Sequence, residues 1–152
     1  MSYELTRVAT SSEWRAYHTI RRTVLWEARG RGGYDQNHAD EYVTANHALL
    51  LKFSERGIGT TRLDDFGDGR GAVRLVAIAS DKQGQGHGRV LARRVEDYAR
   101  RLGLNKLHVN AAPEALGFYQ KLGWTLEVWD GAELVGIASD CVQMTKILSP
   151  NF

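Results

Sequence analysis

Near the middle of the chain an apolar run, Ala72 to Ala79, gives way to Asp81-Lys82-Gln83-Gly84-Gln85-Gly86-His87-Gly88 and then to an amphipathic stretch. The apolar run reads as a central strand buried on both faces. The stretch after it puts Leu91, Val95, Tyr98 and Leu102 on one helical stripe. Three glycines in five residues rule out a regular element between the two. They give the backbone access to positive φ and remove the Cβ atoms that would hold a ligand away. A strand, a glycine turn and a helix N-terminus together present free backbone N–H groups and the positive end of a helix dipole. That junction is a site for phosphate. Arg89 and Arg93, in the first turns of the helix, could add charge to it.

The rest of the chain falls into short elements around this junction. Tyr3 to Val8 alternates weakly and reads as a strand. Thr10 and Glu13 have capping-box spacing and open a helix. Trp14, Tyr17, Val24, Leu25 and Ala28 form its apolar side, with Arg15, Arg21 and Arg22 elsewhere, and Gly30, Gly32 and Gly33 end it. Arg31 to Asn46 is polar, a loop or a short helix around Ala39 to Ala45. Ala48 to Phe53 and Ile58 to Leu63 read as a hairpin about Ser54 to Gly57. After the central helix, Glu96 with Arg100 and Asp97 with Arg101 suit ion pairs on its solvent side, and Gly103 caps it. Lys106 to Asn110 is a short strand. Pro113 opens a helix that stops at Gly123. Trp124 to Trp129 and Cys141 to Ile147 are the closing strands. The order β-α-(α)-β-β-β-α-β-α-β-β makes a mixed α/β fold with an antiparallel meander and one β-α-β crossover. With 152 residues and no visible linker or repeat, one domain over residues 1–152 is expected.

Charge excludes more than it suggests. Twenty Lys and Arg stand against 18 Asp and Glu, a net charge of +2. A nucleic-acid-binding domain usually carries a stronger imbalance on one face, and here the arginines alternate with acids. Cys141 is the only cysteine, so no internal disulfide is available and a reducing compartment fits. It reads as a packing residue of a strand. No secretory leader and no membrane-length apolar run is visible, so a cytoplasmic protein is expected. No metal site is expected.

Three phosphate motifs can be compared with the glycine turn. A P-loop needs Lys followed by Ser or Thr after its last glycine, which is absent. A dinucleotide fingerprint counted from Gly84 and Gly86 needs glycine at position 89, which is Arg89, and an acidic residue about 20 positions on, where Gly103-Leu104-Asn105-Lys106 stands. The pattern Q/R-x-x-G-x-G/A is matched in full by Gln83-Gly84-Gln85-Gly86-His87-Gly88. About 30 residues later, Ala115-Leu116-Gly117-Phe118-Tyr119-Gln120-Lys121-Leu122-Gly123-Trp124 places a helix ending in F-Y-x-K-L-G-W. In these two motifs, their order and their spacing, the chain resembles the GNAT N-acetyltransferase family, firmly over Ala72 to Trp129 and by strand order elsewhere.

The resemblance implies a mixed sheet of about six to seven strands, mostly antiparallel with a splayed parallel pair at its centre, flanked by about four helices. It implies acetyl-CoA as cosubstrate. Backbone amides of Gln83, Gly84, Gln85, Gly86, His87 and Gly88 would hold the pyrophosphate, with Arg89 as a neighbouring cofactor contact. The His87 side chain itself is expected to point to solvent. Val76, Ala77 and Ile78 would pair with the pantetheine arm, and the Ile78 N–H would polarise the thioester carbonyl. Tyr119 would protonate the departing thiolate while an amine attacks the thioester directly. Many members carry Asn at the position of Ala112. Here the nearest is Asn110, the corresponding candidate for the cofactor. The acceptor, a small-molecule or peptide amine, would meet residues drawn from Glu27, Tyr34, Asp35 and His108; His108 alternates against Leu107 and Val109 and either lines the cleft or is a satisfied core histidine. Asp40, Glu41 and His38 share that polar region, and any of these acids or histidines is a candidate base. A homodimer is consistent with the family. A module of the same fold that binds acyl-CoA without catalysis is the alternative; the intact loop and Tyr119 favour the enzyme.

Overall fold

A computed structural model describes residues 2–150. Seven strands form one sheet: β1 Tyr3–Arg7, β2 Asn46–Phe53, β3 Arg56–Asp65, β4 Arg70–Ile78, β5 Lys106–Ala111, β6 Thr125–Leu126 and β7 Val142–Ile147. Their order is β1-β2-β3-β4-β5-β7-β6. Only β4 and β5 run parallel, and α2, His87–Arg101, makes the crossover between them. α1, Ser11–Arg21, covers one face of the sheet, and α2 with α3, Leu116–Lys121, covers the other.

Two apolar layers follow from strand alternation. Leu49, Leu51, Ile58, Leu63, Val73, Leu107, Val109 and Met144 meet Leu91, Val95 and Ala99 of α2. On the other face Leu50, Ala48 and Ala77 meet Tyr17 and Ile20 of α1. The hairpin between β2 and β3 turns on Ser54 and Glu55, both at positive φ (50° and 68°). Two successive residues in that region match the right-handed twist of the flanking strands.

The capping box at α1 forms as its spacing predicts: Glu13 N–H donates to Thr10 Oγ1 (3.2 Å), and Glu13 Oε1 accepts from Thr10 N–H (3.0 Å). Beyond Arg21 the helix widens into a π-turn, Arg22–Trp26, then tightens into a 3-10 turn, Glu27–Arg29, ended by Gly30 at φ +70°. π-turns are frequent at functional sites. Here the wide turn delivers Leu25 and Trp26 to two neighbouring cavities.

Several elements depart from the sequence reading. The segment around Ala39 is a single 3-10 turn, Ala39–Tyr42, so α-helices number three among the described residues. β-branched Val43 takes an extended conformation, and the Glu41 side chain is drawn inward to arginines, which together stop a helix. β6 is two residues long because the Gln143 side chain replaces the ladder beyond it. Its Oε1 accepts from Trp129 N–H (2.9 Å) and Asp130 N–H (3.0 Å). Glu96 is buried and pairs with Lys146 of β7 (2.9 Å) as well as Arg100, and Asp97 pairs with Arg100 rather than Arg101. Leu102 ends its stripe half in solvent. No helix among the described residues is long and apolar enough to cross a membrane.

Candidate active site

The site begins where the parallel pair comes apart. β4 and β5 pair from Arg70 with Lys106 to Val73 with Val109 and no further, although β4 continues to Ile78 and β5 to Ala111. The cause is one extra residue in β4. Arg62 faces Arg74 and Thr60 faces Ala77, two steps on β3 against three on β4. Such a bulge bends the strand and sharpens its twist. Leu75 absorbs it at φ +54°, a conformation that costs a β-carbon residue about 1 kcal/mol or more. Thr61 Oγ1 donates to the Arg74 carbonyl (2.8 Å), which the bulge would leave unpaired. Past it, Ala79 N–H donates to Ile58 O of β3 (2.8 Å). By strand alternation the N–H groups of Ile78 and Val76 then point to the opened edge, while Ala77 is turned toward β3 and buried against α1.

The glycine turn lies at the end of that edge. Gly84 and Gly86 sit at φ +73° and +87° with open space where a Cβ would stand. Gly86 immediately precedes α2, and no side chain caps the helix. The first amides of α2 are therefore free, beside a cavity of about 530 Å³ lined by Lys82, Gly84, Gly86, Gly88, Arg89 and Phe118. The glutamines of the motif tie the turn down: Gln83 Nε2 donates to Ile78 O (3.0 Å) and Gln85 Nε2 to Asp81 O (3.3 Å). His87 departs from expectation. Its ring is buried, bonded through Nδ1 to Tyr3 Oη (2.7 Å) and packed on Phe53, because the first turn of α2 lies over β1 and β2.

Phe118 also borders a second cavity, of about 440 Å³, that occupies the fork between β4 and β5. Val73, Val76, Val109 and Ala111 line its strands. Tyr119 closes its α3 side at 7% exposure, with its ring against Phe118 and Trp124. Burial, with a smaller contribution from the Cys141 thiol, pushes the Tyr119 hydroxyl up to about 12. Cys141 lines the same cavity, and burial raises its thiol too.

On the α1 face a row of alternating charges runs up to the fork, whose lining it joins at Arg74 and Glu133. Arg21, 2% exposed, bonds Glu41; Arg62 bonds Glu41 (3.2 Å) and grips Asp64 with two nitrogens (2.7 and 2.9 Å). Arg74 reaches from Asp64 (2.7 Å) to both oxygens of Glu133 (2.6 and 3.1 Å). Tyr17 Oη donates to Glu41 (2.9 Å). Burial pushes Glu41 and Glu133 up, but the arginines outweigh it and hold both below the usual carboxylate range. These carboxylates stay ionised and are weak bases.

The remaining predicted residues divide. Asn110 lines the fork but turns to this polar wall, donating to Glu133 (3.1 Å) and accepting from Gln143 (3.0 Å). Tyr34 and Asp35 line a third cavity of about 250 Å³ with Trp26, His38 and Asp40; it shares Leu75 and Ile137 with the fork. Tyr34 Oη bonds buried His18 Nδ1 (2.6 Å), and burial raises that hydroxyl to about 12. His108 borders none of the three. It is 1% exposed, stacked on Trp129 at 4.9 Å, with Nδ1 bonded to Thr145 Oγ1 (2.8 Å), so it is a satisfied core histidine. Glu27 also stands outside, exposed and 3.7 Å from Arg22. Glu133, Arg74 and Gln143 were not legible as site residues. Their partners lie 10 to 60 positions away, and no local spacing marks them.

A sheet that opens one parallel edge beside an anion cradle is the architecture of acyltransferases that draw on acyl-coenzyme A. Residues 7–124 match the acetyltransferase (GNAT) family, and the chain belongs to it. It is an acyl-CoA-dependent N-acetyltransferase by family. Solved structures share the fold at low identity. An acyl-CoA N-acyltransferase from Pseudomonas aeruginosa is 20% identical with a TM-score of 0.76, over 95% of this chain and 98% of that one. An aminoglycoside 6'-N-acetyltransferase complexed with coenzyme A is 13% identical with a TM-score of 0.75, over 100% and 99%. The ribosomal-protein-S18-alanine N-acetyltransferase from Escherichia coli is 13% identical with a TM-score of 0.75, over 99% and 97%.

Proposed function

We propose that the protein moves the acetyl group of acetyl-CoA to an amine by direct attack, with Tyr119 as the proton donor to the departing sulfur. The observation that carries this reading is Tyr119: its side chain is 7% exposed and lines the fork, and its hydroxyl, not sealed off from that cavity, bonds no described residue. In this reading the free amides of residues 84 to 89, with Lys82 and Arg89, hold the pyrophosphate. The pantetheine arm runs along the opened edge of β4, and the Ile78 N–H bonds the thioester oxygen as it becomes negative.

The proton balance is simple. The amine nitrogen bonds the carbonyl carbon, the C–S bond breaks, and a proton lost by nitrogen ends on sulfur. A hydroxyl at about 12 stays protonated throughout the neutral range, so it can always donate. An ordinary thiol titrates near 8.5, which by itself would make full transfer from Tyr119 uphill. Burial raises the Cys141 thiol in the same wall, and it raises a departing thiolate in the same way, which narrows that gap. Tyr119 is replenished by the proton the amine gives up.

The acceptor enters from the α1 face. Leu75 and Ile137 join the fork to the third cavity, where Asp35 and Asp40 attract a positive group and Trp26 offers a flat apolar wall. A panel of amines, scored by free thiol released from acetyl-CoA, tests the reading. Tyr119→Phe should lower kcat on any amine found by about 10²-fold or more while acetyl-CoA binding persists. Equal kcat in the variant would remove Tyr119 from the mechanism.

A further inference from the structure

Behind the fork, between β4, α2 and α3, lies a small recess of about 20 Å³. Val73, Val76, Phe118 and Tyr119 line both it and the fork, and Ala92 and Val95 of α2 form its far wall. On the recess lining, Trp124 Nε1 is the one buried polar atom without a partner among the described residues. Glu96 also borders it, but its two oxygens are held by Lys146 (2.9 and 3.1 Å). A trapped water needs two to four polar partners. The recess is therefore dry, and an apolar group is its natural occupant. At about 20 Å³ it has room for one group of about a water's size, a single methylene or methyl.

We propose that this recess sets acyl-chain length, so that the enzyme accepts propionyl-CoA at least as readily as acetyl-CoA and rejects butyryl-CoA. The inference rests on the reading that the thioester lies in the fork beside Tyr119. From there Val73 and Val76, on the two sides of the bulge, lead into the recess. A third acyl carbon leaves water and enters it. A fourth meets Ala92 and Val95, and packed interiors accommodate an added methylene poorly. Ala92 is the residue whose size decides the depth, since its side chain is the smallest on the far wall.

Isothermal titration with acetyl-CoA, propionyl-CoA and butyryl-CoA tests this without an identified amine. Burying one methylene should tighten propionyl-CoA about fourfold over acetyl-CoA, and butyryl-CoA should bind more weakly than propionyl-CoA. In Ala92→Val, which fills the recess, the propionyl advantage should vanish. Acetyl-CoA binding by the same variant reports that it has folded; if it does not fold, the three wild-type affinities decide. Three results would overturn the recess: propionyl-CoA no tighter than acetyl-CoA, butyryl-CoA tighter than propionyl-CoA, or an unchanged ratio in a folded variant. Each would leave the acetyl-CoA reading standing. Failure of all three thioesters to bind would overturn both.

Discussion

The two faces of the fork are built by opposite means. In the proposed reading, recognition on the α2 face rests on the backbone: the N–H groups of the opened β4 edge and of the glycine turn, at Gly84 and Gly86. On the α1 face it would rest on side chains, where a relay of three arginines and three carboxylates runs from Arg21 to Glu133. Backbone donors are fixed by chain path and suit a ligand whose phosphates never change. Side chains can be exchanged without altering the sheet. A chain that keeps its cosubstrate and varies its acceptor would divide the labour in this way.

That division implies separable failures. The largest effect should come from Glu41→Ala. It leaves Arg21 and Arg62 buried without their shared carboxylate, and breaking a buried pair in this manner costs about 3–5 kcal/mol. Chemical denaturation should show that loss. The variant, where folded, should still be stabilised by acetyl-CoA, because nothing on the α2 face changes. If the cosubstrate effect disappeared with the acceptor wall, the faces would be one unit and the comparison would fail.

A smaller effect, away from the fork, provides a reference. A hydrogen bond from Lys52, helped by the amides of Thr10 and Ala9, lowers Glu13 to about 2. A depressed carboxylate stabilises the fold at pH above its unfolded value, about 4.5, and that stabilisation is lost as pH falls toward 2. Glu13→Gln should flatten the acid limb of stability between those values by about 1 kcal/mol, the usual worth of a cap. It should leave both faces of the fork untouched. A change in acetyl-CoA binding in this variant would blur the contrast.

The same contrast governs what could be read in advance. The glycine turn and the Phe118-Tyr119 helix are local patterns, so where these elements fall was legible in the sequence, while the burial of His87 under β1 and β2 was not. The bulge at Leu75 was not, because Ala72 to Ala79 is apolar but for Arg74 and an extra residue leaves no mark in such a run. Arg21 shows the difficulty on the other face. Its spacing from Tyr17 and Leu25 puts it on the apolar stripe of α1, where an arginine is unexpected, and it is buried there because Glu41, 20 positions on, turns inward to meet it. His108 stood open between cleft and core, and the structure puts it in the core. Its alternation on β5 was right, but Trp129 and Phe66 cover that side of the strand. Long-range charge pairs and aromatic lids carry no spacing rule, and the α1 face of the fork consists of little else.

The most direct measurement is thermal unfolding with and without acetyl-CoA, on the wild type and on Gly86→Glu. At about 100 times its Kd the ligand should add about 2.7 kcal/mol to the wild type. The variant, with a side chain forced into positive φ and a negative charge at the helix N-terminus, should show no shift. A wild type that stays folded and does not respond to millimolar acetyl-CoA would contradict the account.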